Sequence, residues 1–302
     1  MDREVSMGNV LGGHELMPFI ANLLSYGKDF LRELEGGSEV VKQGGAFGDV
    51  SNDTELEADK RLGEFLADAF LKWAPEDFIV TVEGLGHQLG QLDGRWWVTI
   101  DPIDGSLNYK HAGCMNGFPF STCITVLENK AAPTFSDVVA AGIIDLRQDI
   151  RDAWVVERGS EDYVTQCGAT CGRANLARTL QVDQLDLGRM NVIGEMYYPE
   201  NREKLFRAFS GMKGWLRSPG SAAYEMASVA SGQAAAFICD RQKQHELGAG
   251  YALVKGAGGV AVDWEGKDLG DRVYDFKTQT PVVLAANQRI ADQILELLNR
   301  SG

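Results

Sequence analysis

The chain has 302 residues, of which 43 are acidic and 29 are basic, so its formal charge is −14 at pH 7. An apolar fraction of 44% with 24% charged residues is typical of a globular protein with one large domain or two. An acidic chain without basic clusters is a poor ligand for nucleic acid or anionic membranes, so we predict that it binds neither.

Other features of the sequence indicate a cytoplasmic protein. No apolar run is long enough to span a bilayer, and the N-terminal residues do not resemble a signal peptide. Five cysteines are too few for a disulfide framework in a chain of this length, and Cys167 and Cys171 do not have the spacing of a redox or zinc motif. We expect all five to be reduced thiols, although the sequence leaves a redox role of this pair open.

The first half of the chain is predicted to form two helices and then a mostly antiparallel sheet. Apolar residues recur at helical spacing from Asn9 to Glu35 and from about Asp53 to Trp73. The next hundred residues contain β-branched and aromatic runs separated by Gly, Asp and Asn, which is typical of strands. These predicted strands are Phe78–Val82, Trp96–Ile100, Ser121–Leu127, Val138–Ile144 and Ala153–Val156.

The second half is predicted to alternate strands and helices. Strands are expected at 191–194, 234–239 and 282–286, and helices at 200–209, 220–231, 246–255 and 289–299. Such alternation is typical of an α/β fold. We therefore predict an α+β domain over residues 1–188 followed by an α/β domain over residues 189–302.

A carboxylate pair follows the strand that contains Trp97–Ile100. Pro102 lacks a backbone N–H and is expected to end the strand pairing. Asp101 and Asp104 are three residues apart across this proline, so their side chains can converge on one point. If a helix or turn begins at Gly105, its backbone N–H groups would face the same point and bind an anion. Carboxylates beside an anion site suggest a hard cation such as Mg²⁺ that links the protein to a phosphate. The alternative is a strand that ends in an Asx-type turn.

The sequence Asp-Pro-Ile-Asp-Gly-Ser-Leu-Asn at 101–108 resembles the signature of the inositol monophosphatase family, which belongs to one superfamily with the fructose-1,6-bisphosphatases. Further segments resemble other parts of the family pattern and occur in the same order: Glu57–Lys60, Phe78–Gly84, Gly117–Phe120, Gly220–Ala223, His245–Glu246 and Ala257–Gly259. The resemblance implies a layered αβαβα sandwich, a homodimer, and Mg²⁺-dependent, lithium-sensitive hydrolysis of a small phosphorylated polyol or sugar.

The resemblance also implies roles for individual residues. Metal ligands would be Glu83, Asp101, Asp104, Glu246 and the Ile103 carbonyl, which would hold two or three Mg²⁺ ions, with Mn²⁺ as a substitute, and most of them belong to the first predicted domain. Asp59 and Ser106 would hold and polarise the attacking water, and Glu83 would take part in catalysis as a ligand. The N–H groups of Gly105 and Ser106 would receive the phosphate, and Gly220, Ser221 and Ala222 would line the sugar or polyol side.

The chemistry needs no nucleophilic side chain, because metal ions generate hydroxide from water. Neither Gly-x-Ser-x-Gly nor the Asp-x-Asp spacing of an aspartyl-phosphate enzyme is present at this motif. Arg241 and Lys243 are candidates to receive a second phosphate, as a sugar bisphosphate would require, or else they are solvated surface charges.

The chain departs from the family pattern at several positions. Gly84 replaces the second of two glutamates, His245 and Glu246 replace the usual Trp-Asp pair, and Cys239 stands where inositol monophosphatases have a polyol-binding glutamate. Extra residues, 112–116, follow the motif. Fructose-1,6-bisphosphatase is therefore the alternative to an inositol monophosphatase, and histidinol phosphate is a further candidate substrate.

Two functions of other classes are alternatives to a phosphatase. A family member without catalytic activity could bind a ligand or partner protein through the same fold, although the complete ligand set argues against it. Gly84–Gly90 follows a strand as a nicotinamide-binding loop does, but its glycine spacing is wrong and turn and strand residues follow it.

Overall fold

The computed structural model describes residues 16–34, 40–42, 55–86, 88–112, 117–148, 150, 152–159, 164–166, 174–175 and 177–300. Within these ranges the chain forms seven α-helices and fifteen strands. In chain order they are α1 (Leu16–Glu33), β1 (Val40–Lys42), β2 (Glu55–Leu56), α2 (Glu57–Trp73), β3 (Phe78–Val82), β4 (Gln88–Gly90), β5 (Trp96–Asp104), α3 (Ser106–Ala112), β6 (Ser121–Glu128), β7 (Val138–Asp145), β8 (Ala153–Glu157), β9 (Val164–Gln166), β10 (Ala174–Asn175), β11 (Val192–Gly194), α4 (Pro199–Phe209), β12 (Leu216–Arg217), α5 (Ala222–Ala230), β13 (Ala236–Lys243), α6 (Gln244–Gly256), β14 (Val260–Val262), β15 (Gln279–Ala285) and α7 (Gln288–Arg300).

Two large sheets organise the fold. The first has the order β10-β9-β8-β7-β6-β5-β3-β4, and its strand pairs are antiparallel except for β3 with β5. This confirms the prediction of a mostly antiparallel sheet. The second has the order β12-β11-β13-β15-β14, in which β11 is parallel to both neighbours while β15 is antiparallel to both of its own.

Helices cover both sheets in layers. Helices α1 and α2 pack their apolar faces on one side of the first sheet, where Leu24 and Phe70 join a buried cluster with Val98. Helices α5 and α6 lie between the two sheets. Helices α4 and α7 cover the outer side of the second sheet through residues such as Leu205 and Ile294. The layers are therefore αβαβα, as the family resemblance implied.

Within the described residues the predicted elements are present, but several boundaries were wrong. Residues 9–15 of the first predicted helix lie outside the described part of the chain. Helix α2 begins at Glu57 rather than at Asp53, because Glu55–Leu56 pairs with β1. Pro102 does not end β5: after an irregularity the strand pairs again at Asp104 with Ser121. Strand β13 continues to Lys243 instead of ending at residue 239, since it pairs again with β15 after an irregularity.

Two other expectations bear on the fold. In the described residues, no helix combines the length and apolar character needed to cross a membrane. The division into domains at residues 188 and 189 stays a prediction, and helices α5 and α6 from the second predicted domain pack against β6 and β7 of the first sheet.

Gly63 allows α2 to approach the strands that end at the predicted site. A Cβ atom on Gly63 would lie 2.6 Å from Val82 Cγ1, which is closer than packed atoms tolerate, and 3.0 Å from Pro102 Cγ, which is a tight contact. The approach brings the first turn of α2, which contains Asp59, beside the end of β5. Close packing at a glycine thus sets the position of Asp59.

We predict that Gly63→Ala destabilises the protein even though alanine favours helices. Overpacking of a close contact costs about 1–3 kcal/mol, which offsets or exceeds the helix-propensity gain of about 1 kcal/mol. Urea unfolding measures the difference. Gly27→Ala in α1 is the matched control, because its Cβ atom would meet only the side-chain ends of Leu62 and Leu66. A Gly63→Ala protein as stable as the Gly27→Ala protein would contradict this account.

Candidate metal and phosphate site

A cleft of about 390 Å³ opens where β5 and β13 end and α2 and α5 begin. Every site residue named from the sequence lines this cleft. These residues are Asp59, Glu83, Asp101, Ile103, Asp104, Gly105, Ser106, Gly220, Ser221, Ala222, Arg241, Lys243 and Glu246. Segments that lie as far apart in the sequence as α2 and β13 therefore form one cavity.

Asp104 connects the first sheet to the central helix layer. Its Oδ2 accepts hydrogen bonds from Ser221 Oγ at 2.6 Å and from the Ala223 N–H at 2.7 Å, at the first turn of α5. Ser121 Oγ donates to the same oxygen at 3.3 Å. Burial and the charge of Glu246 raise the pKa of Asp104 to about 7, although the bonds from Ser221 and Ala223 act in the opposite direction.

Asp101 and its neighbours form a buried acidic cluster. Four residues each offer one potential ligand atom, and these atoms lie within 4.8 Å of one another: Glu83, Asp101, His245 and Glu246. Burial, and then the charges of Glu83 and Glu246, raise the pKa of Asp101 well above its ordinary value. Buried carboxylates this close together repel one another, so the arrangement favours a bound cation.

Two cationic side chains also belong to this cluster. Lys243 Nζ lies 2.9 Å from Glu83 Oε1, and His245 Nε2 lies 3.4 Å from Glu83 Oε2. Burial alone would raise the pKa of Glu83, but these two neighbours hold it well below its ordinary value. Burial lowers the pKa of His245, whereas the charge of Glu83 and hydrogen bonding with Glu246 and Glu83 raise it to about 10.

The two side chains predicted to share a second phosphate therefore lie in different surroundings. Lys243 pairs with Glu83 inside the acidic cluster. Arg241 lies 5.3 Å above the ring centroid of Tyr198, and its Nε is 3.5 Å from Asp240 Oδ1. Neither is a solvated surface charge alone, since both line the cleft.

Ser106 lies at the start of α3 between two acceptors. Its Oγ is 2.8 Å from the Ile103 carbonyl oxygen and 3.3 Å from Asp59 Oδ2, and its single hydrogen can serve only one of them at a time. Gly105 precedes it with φ +87°, and a Cβ atom there would lie 3.0 Å from the Gly220 carbonyl oxygen. Both the backbone conformation and the close approach require glycine.

The cleft contains residues that the sequence analysis did not assign to the site. Glu225 accepts the Gly220 N–H at 2.7 Å, and Glu195 accepts the Tyr197 N–H. The Oε2 atoms of both glutamates are buried and have no hydrogen-bond partner among the described residues. Tyr197, Tyr198, Cys239 and Gln242 also line the cleft.

A sequence signal existed for one of these residues. Glu195 directly follows a predicted strand, and ligand sites in α/β sheets lie at the carboxyl ends of such strands. Its N–H donates to the Ile238 carbonyl and so extends the parallel pairing of β11 with β13. Glu225 has no comparable signal, since its spacing fits an ordinary helix.

Some expectations lie outside the described residues. These are the positions of residues 113–116 near the site and the states of Cys114, Cys167 and Cys171. Cys123 and Cys239 are buried free thiols. Gly84 lies in a turn, and the antiparallel strand β4 rather than a helix follows this turn, so the segment does not have the geometry of a nicotinamide-binding loop.

The fold and the site together define a layered αβαβα protein with a buried carboxylate cluster at the junction of its two sheets. The model of the inositol monophosphatase family matches residues 15–302. The chain therefore belongs to the inositol monophosphatase family, which is metal-dependent.

Known relatives agree with this membership. Inositol-1-monophosphatase of Bacillus subtilis is 29% identical over 251 residues, which cover 81% of this chain and 83% of that protein. Fructose-1,6-bisphosphatase/inositol-1-monophosphatase of Thermotoga maritima is 24% identical over 248 residues, covering 82% and 83%. A solved Thermotoga maritima IMPase superposes with a TM-score of 0.72 at 21% identity, covering 94% of this chain and 96% of that one.

The raised pKa of Asp104 predicts a pH-dependent stability after EDTA treatment. The pKa is about 7 in the folded protein against an ordinary value of 3.8, so the folded protein holds a proton that the unfolded chain releases. The resulting stabilisation is lost as the pH rises through about 7. From about pH 5 to about pH 8, we expect the free energy of unfolding to fall by about 2–3 kcal/mol more in the wild type than in Asp104→Asn.

Urea unfolding in EDTA at the two pH values measures this difference. His245 adds a decline in the same direction in both proteins, because its pKa is also raised, and the comparison cancels it. Excess Mg²⁺ should reduce the wild-type decline, since a bound cation keeps the carboxylates ionised. Equal declines in the two EDTA-treated proteins would contradict the assignment.

Proposed function

We propose that the protein hydrolyses the phosphate monoester of a small polyol or sugar to the alcohol and inorganic phosphate, in an inositol monophosphatase-like reaction that requires Mg²⁺. The observation that carries the proposal is the convergence of Glu83, Asp101 and Glu246 in one largely buried cluster, with Asp104 lining the same cleft. Family membership and the names of the relatives support the same reaction.

The donor set fits Mg²⁺. Hard divalent cations prefer carboxylate and carbonyl oxygens, and the cleft offers four carboxylates together with the Ile103 carbonyl. The raised pKa of Asp101 reflects repulsion that a bound cation would relieve. When bound, Mg²⁺ would neutralise the phosphate, lower the pKa of water and stabilise the leaving oxygen. Two or three ions, or Mn²⁺ in their place, are part of the proposal.

Asp59 and Ser106 would orient the attacking water. A serine hydroxyl that donates to Asp59 or to the Ile103 carbonyl retains lone pairs that can accept a hydrogen bond from water. Asp59 is buried in the first turn of α2, where the helix dipole favours its ionised form. A fixed acceptor of this kind would hold water in line with the phosphorus atom.

The phosphate and the alcohol would occupy adjoining parts of the cleft, because Gly105 lies in close contact with the Gly220 carbonyl. The N–H groups of Gly105 and Ser106 at the start of α3 would receive phosphate oxygens. Gly220, Ser221 and Ala222 would line the sugar or polyol, and Glu225 supports this loop through its bond to the Gly220 N–H. The exposed wall of Tyr197 and Arg241 would face the remainder of the substrate.

A fructose-1,6-bisphosphatase is the second candidate, and one observation favours it. Arg241 lines the cleft beyond Cys239. It does not take part in the ion pair between Lys243 and Glu83, so it could bind a second phosphate. The neighbouring Asp240 lowers its attraction for anions. Histidinol phosphate is a further candidate substrate, because the cleft also contains carboxylates away from the proposed phosphate position.

The proposal has three further parts. They are a homodimer and sensitivity to lithium, both from the family resemblance, and, from the cysteine content and N-terminal residues rather than the resemblance, a location in the cytoplasm. The non-catalytic alternative, in which the fold binds a ligand or a partner protein, predicts intact Mn²⁺ binding without phosphate release from any substrate.

We predict that Asp104→Asn lowers kcat/KM roughly a thousandfold or more, because it removes a metal-binding charge where phosphate charge must be neutralised. Phosphate release from inositol-1-phosphate with Mg²⁺ measures the effect, and EDTA should abolish wild-type activity. Asp68→Asn is the matched control, since Asp68 is an exposed residue of α2 paired with Lys72. Near-normal activity of Asp104→Asn with intact folding would rule out the proposed metal site.

Arg241→Met distinguishes the two candidate substrates. If Arg241 receives a second phosphate, the variant should lose roughly tenfold or more in kcat/KM for fructose-1,6-bisphosphate and change little for inositol-1-phosphate. A panel that adds histidinol phosphate and adenosine 3′,5′-bisphosphate tests the remaining substrates. Equal losses for monophosphates and bisphosphates would exclude a second-phosphate role of Arg241.

A further inference from the structure

Lys243 is a cation within the acidic cluster. Its Nζ lies 2.9 Å from Glu83 Oε1, and the exposed fractions of the two side chains are 21% and 30%. Water therefore screens this pair only partly, and each charge strengthens the other. The Lys243 charge is one of the two causes that keep Glu83 ionised against its burial.

The lysine is held by regular structure and not by a loose loop. Lys243 is the last residue of β13 and pairs in register with Gln279 of β15. On either side of it, Gln242 donates to Glu246 and the Gln244 side chain donates to Thr280 Oγ1 at 2.8 Å. The backbone that carries the ammonium group is thus fixed beside Glu83.

A divalent cation and the ammonium group cannot both contact the same carboxylate oxygen without repulsion. Mg²⁺ binds oxygen at about 2.0–2.1 Å, closer than the lysine nitrogen, and both are positive. A metal ion that takes Glu83 Oε1 must therefore displace Lys243 or share the carboxylate with it at an electrostatic cost.

We propose that Lys243 is a built-in competitor of the metal: its ammonium group occupies Glu83 and thereby sets the metal concentration at which the site fills. This inference rests on the proposed function only in taking Glu83 as a metal ligand. Lys243 is accordingly a positioning residue of the acidic cluster rather than a group that needs to contact the substrate.

Binding of Mn²⁺ to the full-length, EDTA-stripped protein, followed by calorimetry without substrate, tests the proposal. Lys243→Met should tighten the Mn²⁺ Kd roughly fivefold, the size expected when a partly exposed ion pair no longer has to be broken. Lys243→Gln should act in the same direction and serves as a second variant if the first does not fold. Unchanged or weaker binding in the variants would overturn the proposal.

Two controls separate competition at Glu83 from a general loss of positive charge. Arg241→Met removes a cation from the same cleft that does not pair with Glu83, and it should tighten Mn²⁺ binding much less. In a Glu83→Gln background, Lys243→Met should have little effect, because the contested carboxylate is absent. If Lys243→Met tightened Mn²⁺ binding equally in the wild-type and Glu83→Gln backgrounds, the effect would come from the lysine charge in general and not from its contact with Glu83. That result would overturn the proposal.

The same measurements distinguish failure of this inference from failure of the proposed function. If Glu83→Gln alone binds Mn²⁺ as tightly as the wild type, Glu83 is not a metal ligand and the proposed ligand set is wrong. If Glu83→Gln weakens binding but Lys243→Met does not tighten it, the ligand set stands and the role of Lys243 is refuted.

Discussion

The bonds between Asp104 and the first turn of α5 are the interaction on which the rest of the site depends. The carboxylate ends a strand of the first sheet, while Ser221 and Ala223 belong to the helix layer that supports the second sheet. One buried acid therefore fixes the position of both parts of the cleft. Because its second oxygen is not used by these bonds, the same group can join the layers and still bind a cation.

Burying several carboxylates in one cluster creates a demand for positive charge. Within the described chain, Lys243 and His245 meet part of this demand, and helix N-termini at α2 and α5 meet another part. The incomplete compensation is visible at Asp101 and Asp104, whose pKa values are raised. A carboxylate cluster whose negative charge the protein neutralises only in part is suited to bind a metal ion reversibly.

The family resemblance implied the layers, and the sequence identified residues that the structure brings into one cleft, because these residues are contiguous or lie at strand ends. The sequence could not predict the surroundings of Lys243, since the end of β13 depends on its renewed pairing with β15 after an irregularity. Pro102 was misleading for the same reason: a strand can resume beyond a proline where its partner, here β6, continues. Pairing between distant segments is not encoded in local patterns.

Two departures from the family pattern, at Gly84 and at His245, lie near Glu83, and both make its surroundings less negative. The motif from Asp101 to Asn108 and the Gly220–Ala223 turn keep the family pattern. Near Glu83, an acid is absent at Gly84, and His245 carries a positive charge at neutral pH because its pKa is about 10. Since Lys243 faces the same carboxylate, the protein itself supplies cationic groups beside Glu83, and they offset part of the negative charge of the acidic cluster.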